Sequence, residues 1–272
     1  MIVASMENKN PSRYLIPSHL VEPLWYRTQE SLSQDGLVYD PIAARACQSC
    51  AMAPECLAGN VSQKQLLHAT LTSMVDLQVT QFLARFPHAW IINVGAGLDT
   101  RFYRLDNGLC HWFEVDISEN LDWRSKLFHP SERYTNLQGS VTELSWLKSL
   151  LIPEGTPILI LCEYALLDCD IAIVNRFMRG IATHFPQGQG CIVMAGDKAN
   201  TSLGQSVGSG RYAHGIASAT EAIFNCLPWV ERVTVFSPLQ YQCRRWKLWQ
   251  RMLTHFPHYR FRLTPVVINM RW

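Results

Sequence analysis

Three positions at the ends of apolar runs carry the chemistry in this chain. Trp90-Ile91-Ile92-Asn93-Val94 stops at Gly95-Ala96-Gly97. Glycines there permit a tight turn and let a ligand lie against bare peptide groups. Leu98 to Arg104 is helix-compatible, so a helix N-terminus would offer free N–H groups to that ligand, with Asp99 or Thr100 placed as cap. About twenty residues beyond the glycines, Asp116 ends a second run, Cys110–Asp116, where a carboxylate accepts hydrogen bonds from both ribose hydroxyls. Glu163 stands at the exit of a third run, Pro157–Cys162. The dinucleotide pattern G-x-G-x-x-G needs a third glycine, and Thr100 occupies its place. That argues against NAD or FAD and leaves room for another adenosine ligand.

The surrounding elements must bring these three strand ends together. β-branched and aromatic runs suit strands buried on both faces. Strands are expected at Trp90–Val94, Cys110–Asp116, Tyr134–Leu137, Pro157–Cys162, Gly190–Ala195, Trp229–Phe236 and Thr264–Arg271. Helices are expected at Ser118–Phe128, Asp170–His184, Ala217–Leu227 and Gln240–His255, with another beginning at Thr142. Strands alternating with helices from residue 90 onward predict an α/β fold with a doubly wound, largely parallel sheet. In such a sheet, ligands bind where the strand order reverses, at the strands' C-terminal ends.

Ahead of the sheet, residues 1–20 read as a loose arm. Val21–Ala46 reads as one or two helices, broken at Asp35-Gly36 and restarted by Asp40 as N-cap with Pro41 behind it. Val61–Phe86 has an apolar stripe near helical period and stops at Pro87. The expected division is therefore an arm and helical cap over 1–86, covering one end of the sheet, and an α/β domain over 87–272. Thr201–Gly215, rich in Ser and Gly, reads as a mobile loop.

Composition narrows the partners. The 272 residues include 48% hydrophobic and only 17% charged residues. That points to a fairly apolar surface or to pairing with a second copy of the chain. A net charge of +2 argues against nucleic acid. The N-terminus lacks the basic and apolar regions of a signal peptide, and no run is long enough to cross a bilayer. Nine cysteines, several in apolar runs, suggest free buried thiols and a cytoplasmic location. Cys47, Cys50 and Cys56 have metal-compatible spacing, with His68 a conceivable fourth ligand, but no second C-x-x-C supports them and no metal is expected. The basic stretch Cys243–Arg251 reads as a helix with a solvated basic face and packed tryptophans, so no membrane partner is expected.

The string N-V-G-A-G-L-D-T-R-F-Y-R-L at 93–105, with W-F-E-V-D at 112–116 and C-E-Y-A-L-L at 162–167, resembles the S-adenosylmethionine-dependent leucine carboxyl methyltransferase family. That family includes polyketide O-methyltransferases of the tetracenomycin type, which serve secondary metabolism. Asp35–Ala43 (D-G-L-V-Y-D-P-I-A) resembles a segment common before the sheet in bacterial members. The resemblance implies a seven-stranded class I methyltransferase fold with S-adenosyl-L-methionine as cofactor. It places Gly95, Ala96 and Gly97 at the methionine and sugar, Asp116 on the ribose, Glu163 at the amino group, and Ser140 and Val141 at the adenine. The chain departs from the family pattern at Ser140, where an acid is usual, at Tyr164, where a glycine follows the family's glutamate, and at Leu71, which takes the place of an arginine that anchors the cofactor carboxylate. Either Arg27 or another cation substitutes, or affinity is reduced.

The resemblance implies O-methylation of a carboxylate or hydroxyl on a small molecule or carrier-bound metabolite. Methylation of a protein C-terminal carboxyl is an alternative; so is a cofactor-binding or scaffold protein that has lost transfer. A carboxylate acceptor is already ionised at pH 7, whereas a phenol benefits from a base. His68 and His214 are candidate bases, and Arg211 is a candidate partner for an acidic acceptor.

Overall fold

The computed structural model describes residues 13–51, 59–241 and 243–272. The chain opens with β1 (Tyr14–Leu15), α1 (Ser18–Leu32), α2 (Pro41–Gln48), β2 (Cys50–Ala51) and α3 (Val61–Arg85). The first half of the sheet follows: β3 (Trp90–Val94), α4 (Arg101–Leu105), β4 (His111–Asp116), α5 (Ser118–Ser125), β5 (Tyr134–Gln138) and β6 (Ile158–Cys162). Then come α6 (Ile171–His184), β7 (Gln189–Ala195), α7 (Ser202–Ser206), α8 (Ala219–Cys226), β8 (Arg232–Phe236), α9 (Leu248–Leu253), α10 (Pro257–Arg260) and β9 (Pro265–Arg271).

Seven strands form one sheet in the order β5-β4-β3-β6-β7-β9-β8. All neighbours through β7 are parallel, and β9 runs antiparallel to both β7 and β8. The order reverses between β3 and β6, so Gly95 and Glu163 emerge side by side at the switch point. Alternate residues of β3 face opposite cores. Ile92 and Val94 pack with Val174, Phe177 and Ile181 of α6 and Ile223 of α8. Ile91 packs with Leu67, Leu71, Met74 and Val75 of α3.

Thus α3 covers a face of the sheet and not its end. The strand-end position belongs to α1 and α2, which share a smaller core formed by Leu20, Val21, Leu24 and Ala43 with Leu98 of the glycine turn. Asp40 caps α2 as expected, its Oδ1 accepting from the Ala43 N–H at 2.9 Å. Of the predicted arm, Tyr14 and Leu15 pair in parallel with Cys50 and Ala51, and helix begins at Ser18; residues 1–12 lie outside the described residues.

Two sequence expectations give way. Thr201–Gly215 is anchored, not loose: Asn200 exchanges hydrogen bonds with Tyr212, the Ser209 hydroxyl donates to Leu263 O at 2.7 Å, and His214 is buried. The helix expected over Gln240–His255 is broken into short 3-10 turns and the six-residue α9. Trp246 is held in the core, its indole N–H donating to Pro238 O and Tyr241 O, whereas Trp249 is exposed. A continuous helix would not have bent Trp246 back onto that loop.

Candidate active site

At the switch point, a cleft of about 330 Å³ opens between the ends of β3, β4 and β6 and the α1 helix. Gly95, Ala96, Gly97, Asp116, Glu163 and Arg27 all line it. Gly95 and Gly97 have φ of +69° and +50°, the left-handed region that favours glycine. A Cβ built on Gly95 would fall 2.2 Å from the Ala165 Cβ, so this side of the turn has no room for a side chain.

The turn is clamped from behind. Arg124, fully buried on α5, donates to Gly97 O and Asp99 O, each at 2.8 Å. Asp99 Oδ1 accepts from the Arg101 N–H, which starts α4; Thr100 makes no capping bond, and its hydroxyl goes to Asp40 instead. The residue in the place of the missing third glycine therefore ties the turn to α2.

Asp116 lines the cleft with both carboxylate oxygens engaged. Its Oδ2 accepts from the Gly97 N–H at 2.6 Å, and its Oδ1 from the Ile117 N–H and Asn120 Nδ2 at 2.8 and 2.9 Å. Asn120 in turn meets His19 Nε2 at 3.2 Å. His19 and Asn120 line the cleft, and no sequence signal marked either.

Glu163 is held on both oxygens. Arg101 Nη2 donates to Oε2 at 2.5 Å, and the Thr72 hydroxyl of α3 donates to Oε1 at 2.9 Å. Arg101 also reaches Asp76 Oδ1 at 2.6 Å and pairs with Asp99. Arg104 links Asp76 to Asp40, and Asp40 pairs with Arg27 at 3.1 Å. Three arginines and four carboxylates thus form one largely buried network behind the cleft. Burial pushes the Asp99 carboxyl up, but Arg101, Arg27 and Arg104 outweigh it and hold the group well below the usual carboxylate range. Asp40 is likewise lowered, burial being outweighed by Arg27 and Arg104.

On the far side of Ile117, a second cavity of about 580 Å³ is lined by Gly139, Ser140, Glu143 and Trp146. The Ser140 hydroxyl is occupied locally, accepting from the Thr142 and Glu143 N–H groups. Val141 does not line the cavity; it packs against the core. Glu143 supplies a carboxylate three residues after the place where the sequence lacks one. A larger cavity, about 790 Å³, lies at the opposite end of the sheet around Pro157, Phe185 and Arg271 and holds none of these groups.

The substrate-side candidates do not gather here. His214 receives the Ala195 N–H on Nε2 and donates from Nδ1 to Cys169 O, so both nitrogens serve the backbone. Arg211 is exposed and outside the cleft. His68 is buried beneath the cleft wall, its ring stacked 5.0 Å from Tyr164 and tilted 5.3 Å from Tyr26. Burial, and then the nearby Arg27 and Arg101, hold its pKa well below the ordinary histidine value. Leu71 packs in the core and offers no polar group to a carboxylate. Arg27 is the cation in the cleft wall: Nε bonds Asp40 and Nη2 donates to Leu98 O at 2.6 Å. Cys50 is buried, its thiol pushed up to about 11 by burial and by Cys47. Ala51 lies in β2; Met52, Ala53 and Cys56 lie outside the described residues. Among the described residues, no cluster of His, Cys, Asp and Glu is arranged to hold a metal.

Known proteins resemble this chain in sequence and in fold. Residues 21–138 match the leucine carboxyl methyltransferase family. The tetracenomycin polyketide synthesis O-methyltransferase TcmP of Streptomyces glaucescens is 29% identical over 115 residues, which span 42% of this chain and 42% of that protein. The chain therefore matches less than half the length of that relative. In fold, a structure described as a putative methyltransferase from Thermobifida fusca superposes with a TM-score of 0.55 at 13% identity, covering 93% of this chain and 96% of that one. A DUF574 family protein from Streptomyces avermitilis reaches 0.59 at 8% identity, covering 96% and 98%. The fold is that of the class I methyltransferases, and S-adenosylmethionine is the cofactor that goes with the family match. The donor set fits it: a sterically bare glycine turn, a carboxylate on each side of the cleft, a cation in its wall and an adjoining cavity beyond Asp116.

Proposed function

We propose that this chain, whose residues 21–138 match the leucine carboxyl methyltransferase family, is a cytoplasmic O-methyltransferase. Its acceptor is a carboxylate or hydroxyl on a small molecule or carrier-bound metabolite. The observation that carries this reading is the convergence of Gly95–Gly97, Asp116 and Glu163 on one cleft at the switch point.

Bound there, S-adenosylmethionine supplies an electrophilic methyl group on a sulfonium. The chain's own residues bind, orient and exclude water. Asp116 would hold the ribose hydroxyls, exchanging its bond to Gly97 for them. Glu163, fixed by Arg101 and Thr72, would accept from the amino group. Arg27 would meet the carboxylate in place of the arginine that Leu71 replaces. Ile117 and Trp146 would flank the adenine, with Glu143 within the same cavity as acceptor for its amino group.

Acceptor chemistry favours a group that needs no deprotonation. His68 lies behind the wall and is held neutral, and His214 has both nitrogens engaged. His19, bonded to Asn120 beside Asp116, is the imidazole in the cleft wall. A carboxylate is ionised at neutral pH and attacks without a base; a phenol, with a pKa near ~10, would draw on His19.

Isothermal titration with S-adenosylmethionine and S-adenosylhomocysteine is the first test, followed by turnover against panels of organic acids and phenols. Binding with methyl transfer to oxygen is expected. No binding up to millimolar concentration overturns the assignment. Binding with no turnover on either panel replaces it with a non-catalytic cofactor-binding protein.

A further inference from the structure

Beyond β8, the chain changes electrical character. Arg232 to Trp272 contains eight Lys and Arg residues and no Asp or Glu, leaving sixteen basic against twenty-two acidic residues on 1–231. Within this stretch, Arg245 pairs with Glu30, Arg262 with Asp197 and Arg271 with Glu231. Arg244, Lys247 and Arg251 are exposed and form no ion pair among the described residues.

The same three cations are interleaved in sequence with exposed apolar side chains. Leu248 is 72% exposed, Met252 57%, Phe256 55% and Trp249 41%. At ~100° per residue, positions 248, 249 and 252 share one face of α9. The opposite face is anchored: Gln250 is fully buried and its amide donates to Gln63 and to Ser206 O, while Trp246 sits in the core. Single exposed apolar residues are ordinary; four within nine positions form an exposed apolar stretch, the kind of feature found at interaction surfaces. The expectation of no membrane partner rested on tryptophans packed beneath a basic helix, and Trp249 is not packed.

The patch stands at the cleft end of the molecule. β8 runs parallel in direction to β7, both being antiparallel to β9, so the segment after Phe236 leaves the sheet where the glycine turn does. Arg245 donates to Glu30 of α1 at 2.5 Å, one turn from the cleft residue Arg27.

We propose that this face binds an anionic lipid surface. Leu248, Trp249, Met252 and Phe256 enter the boundary between headgroups and acyl chains, and Arg244, Lys247 and Arg251 meet the headgroup phosphates. A bilayer accepts protruding Leu, Met, Phe and Trp side chains without a preformed cavity, which an acidic protein partner would have to supply. Arg244, Lys247 and Arg251, without an ion pair among the described residues, complement an anionic leaflet. The protein then works with its cleft at the interface, where amphiphilic molecules collect.

The test is co-sedimentation of the full chain with vesicles of equal parts phosphatidylglycerol and phosphatidylcholine, and with phosphatidylcholine alone. Binding to the anionic vesicles is expected, weakened by added salt. At about fivefold per cation, the Arg244→Gln/Lys247→Gln/Arg251→Gln variant should bind roughly a hundredfold more weakly. Leu248→Ser/Met252→Ser should also weaken binding, with cofactor titration unchanged in both variants as a check on folding. No binding to either vesicle, or binding indifferent to both variants, overturns the proposal. Binding to a soluble acidic protein with unchanged affinity in the serine variant, together with none to vesicles, overturns it in favour of protein docking. Dependence on protein concentration in sedimentation velocity, abolished by the serine variant and without vesicle binding, overturns it in favour of pairing between copies.

Discussion

Arg101 donates to Glu163 at 2.5 Å, and through this contact the first residue of α4 fixes the carboxylate at the end of β6. Because Arg101 also holds Asp76 and Asp99, its loss leaves three carboxylates short of a partner in a buried site. Arg101→Leu should therefore cost about 3–5 kcal/mol of folding stability. Urea unfolding measures it; a loss under about 1 kcal/mol would mean that the network adds little. Glu163→Gln keeps the shape and should weaken cofactor binding with a much smaller stability change.

Asp116→Ala removes the proposed acceptor of both ribose hydroxyls. Hydrogen bonds to a charged group contribute about 1.5–3 kcal/mol, so affinity for S-adenosylhomocysteine should drop roughly ten- to a hundredfold. Asp116→Asn, which still accepts one bond, should fall between. Unchanged affinity in the alanine variant would refute the ribose assignment.

Gly95→Ala meets two obstacles: a φ of +69° and a neighbouring Ala165 Cβ 2.2 Å from the added carbon. The expected cost is about 1–3 kcal/mol, read as a lower thermal midpoint with weaker cofactor binding. Adding Ala165→Gly relieves the contact but not the backbone, so recovery should be partial. Full recovery would show that only the contact matters.

Stability should fall on mild acidification. His68 and His214 both have pKa values lowered in the fold, chiefly by burial, from a model-compound value of 6.5. The unfolded chain therefore takes up protons first as pH drops below about 6.5, and each histidine contributes up to ~1.4 kcal/mol of loss per pH unit. A second decline should follow below about 4, where the lowered carboxyls Asp40 and Asp99 become protonated first in the unfolded chain. Unfolding midpoints from pH 7.5 to 3 report both phases. His68→Phe should flatten the first; an unaltered slope would relocate the effect.

The sequence by itself determined the strands and the groups at their ends. Trp90–Val94, the Asp116 strand and the Cys162 strand are apolar runs whose burial on both faces is a local property, and Asp40 caps α2 through a bond three residues away. Gly95, Asp116 and Glu163 were legible because each follows such a run directly. Tertiary structure alone decided what surrounds them. Arg101 meets Asp76 25 positions away and Glu163 62 away, and His19 reaches Asn120 across 101. The same holds for His214, drawn to the backbone of Ala195 and Cys169, and for α9, where Gln250 turns inward to Gln63 and leaves Leu248 and Met252 in water. Hydrophobic period and turn chemistry act between near neighbours. The pairing of buried charges depends on which distant elements the sheet order places side by side, and no local pattern encodes it.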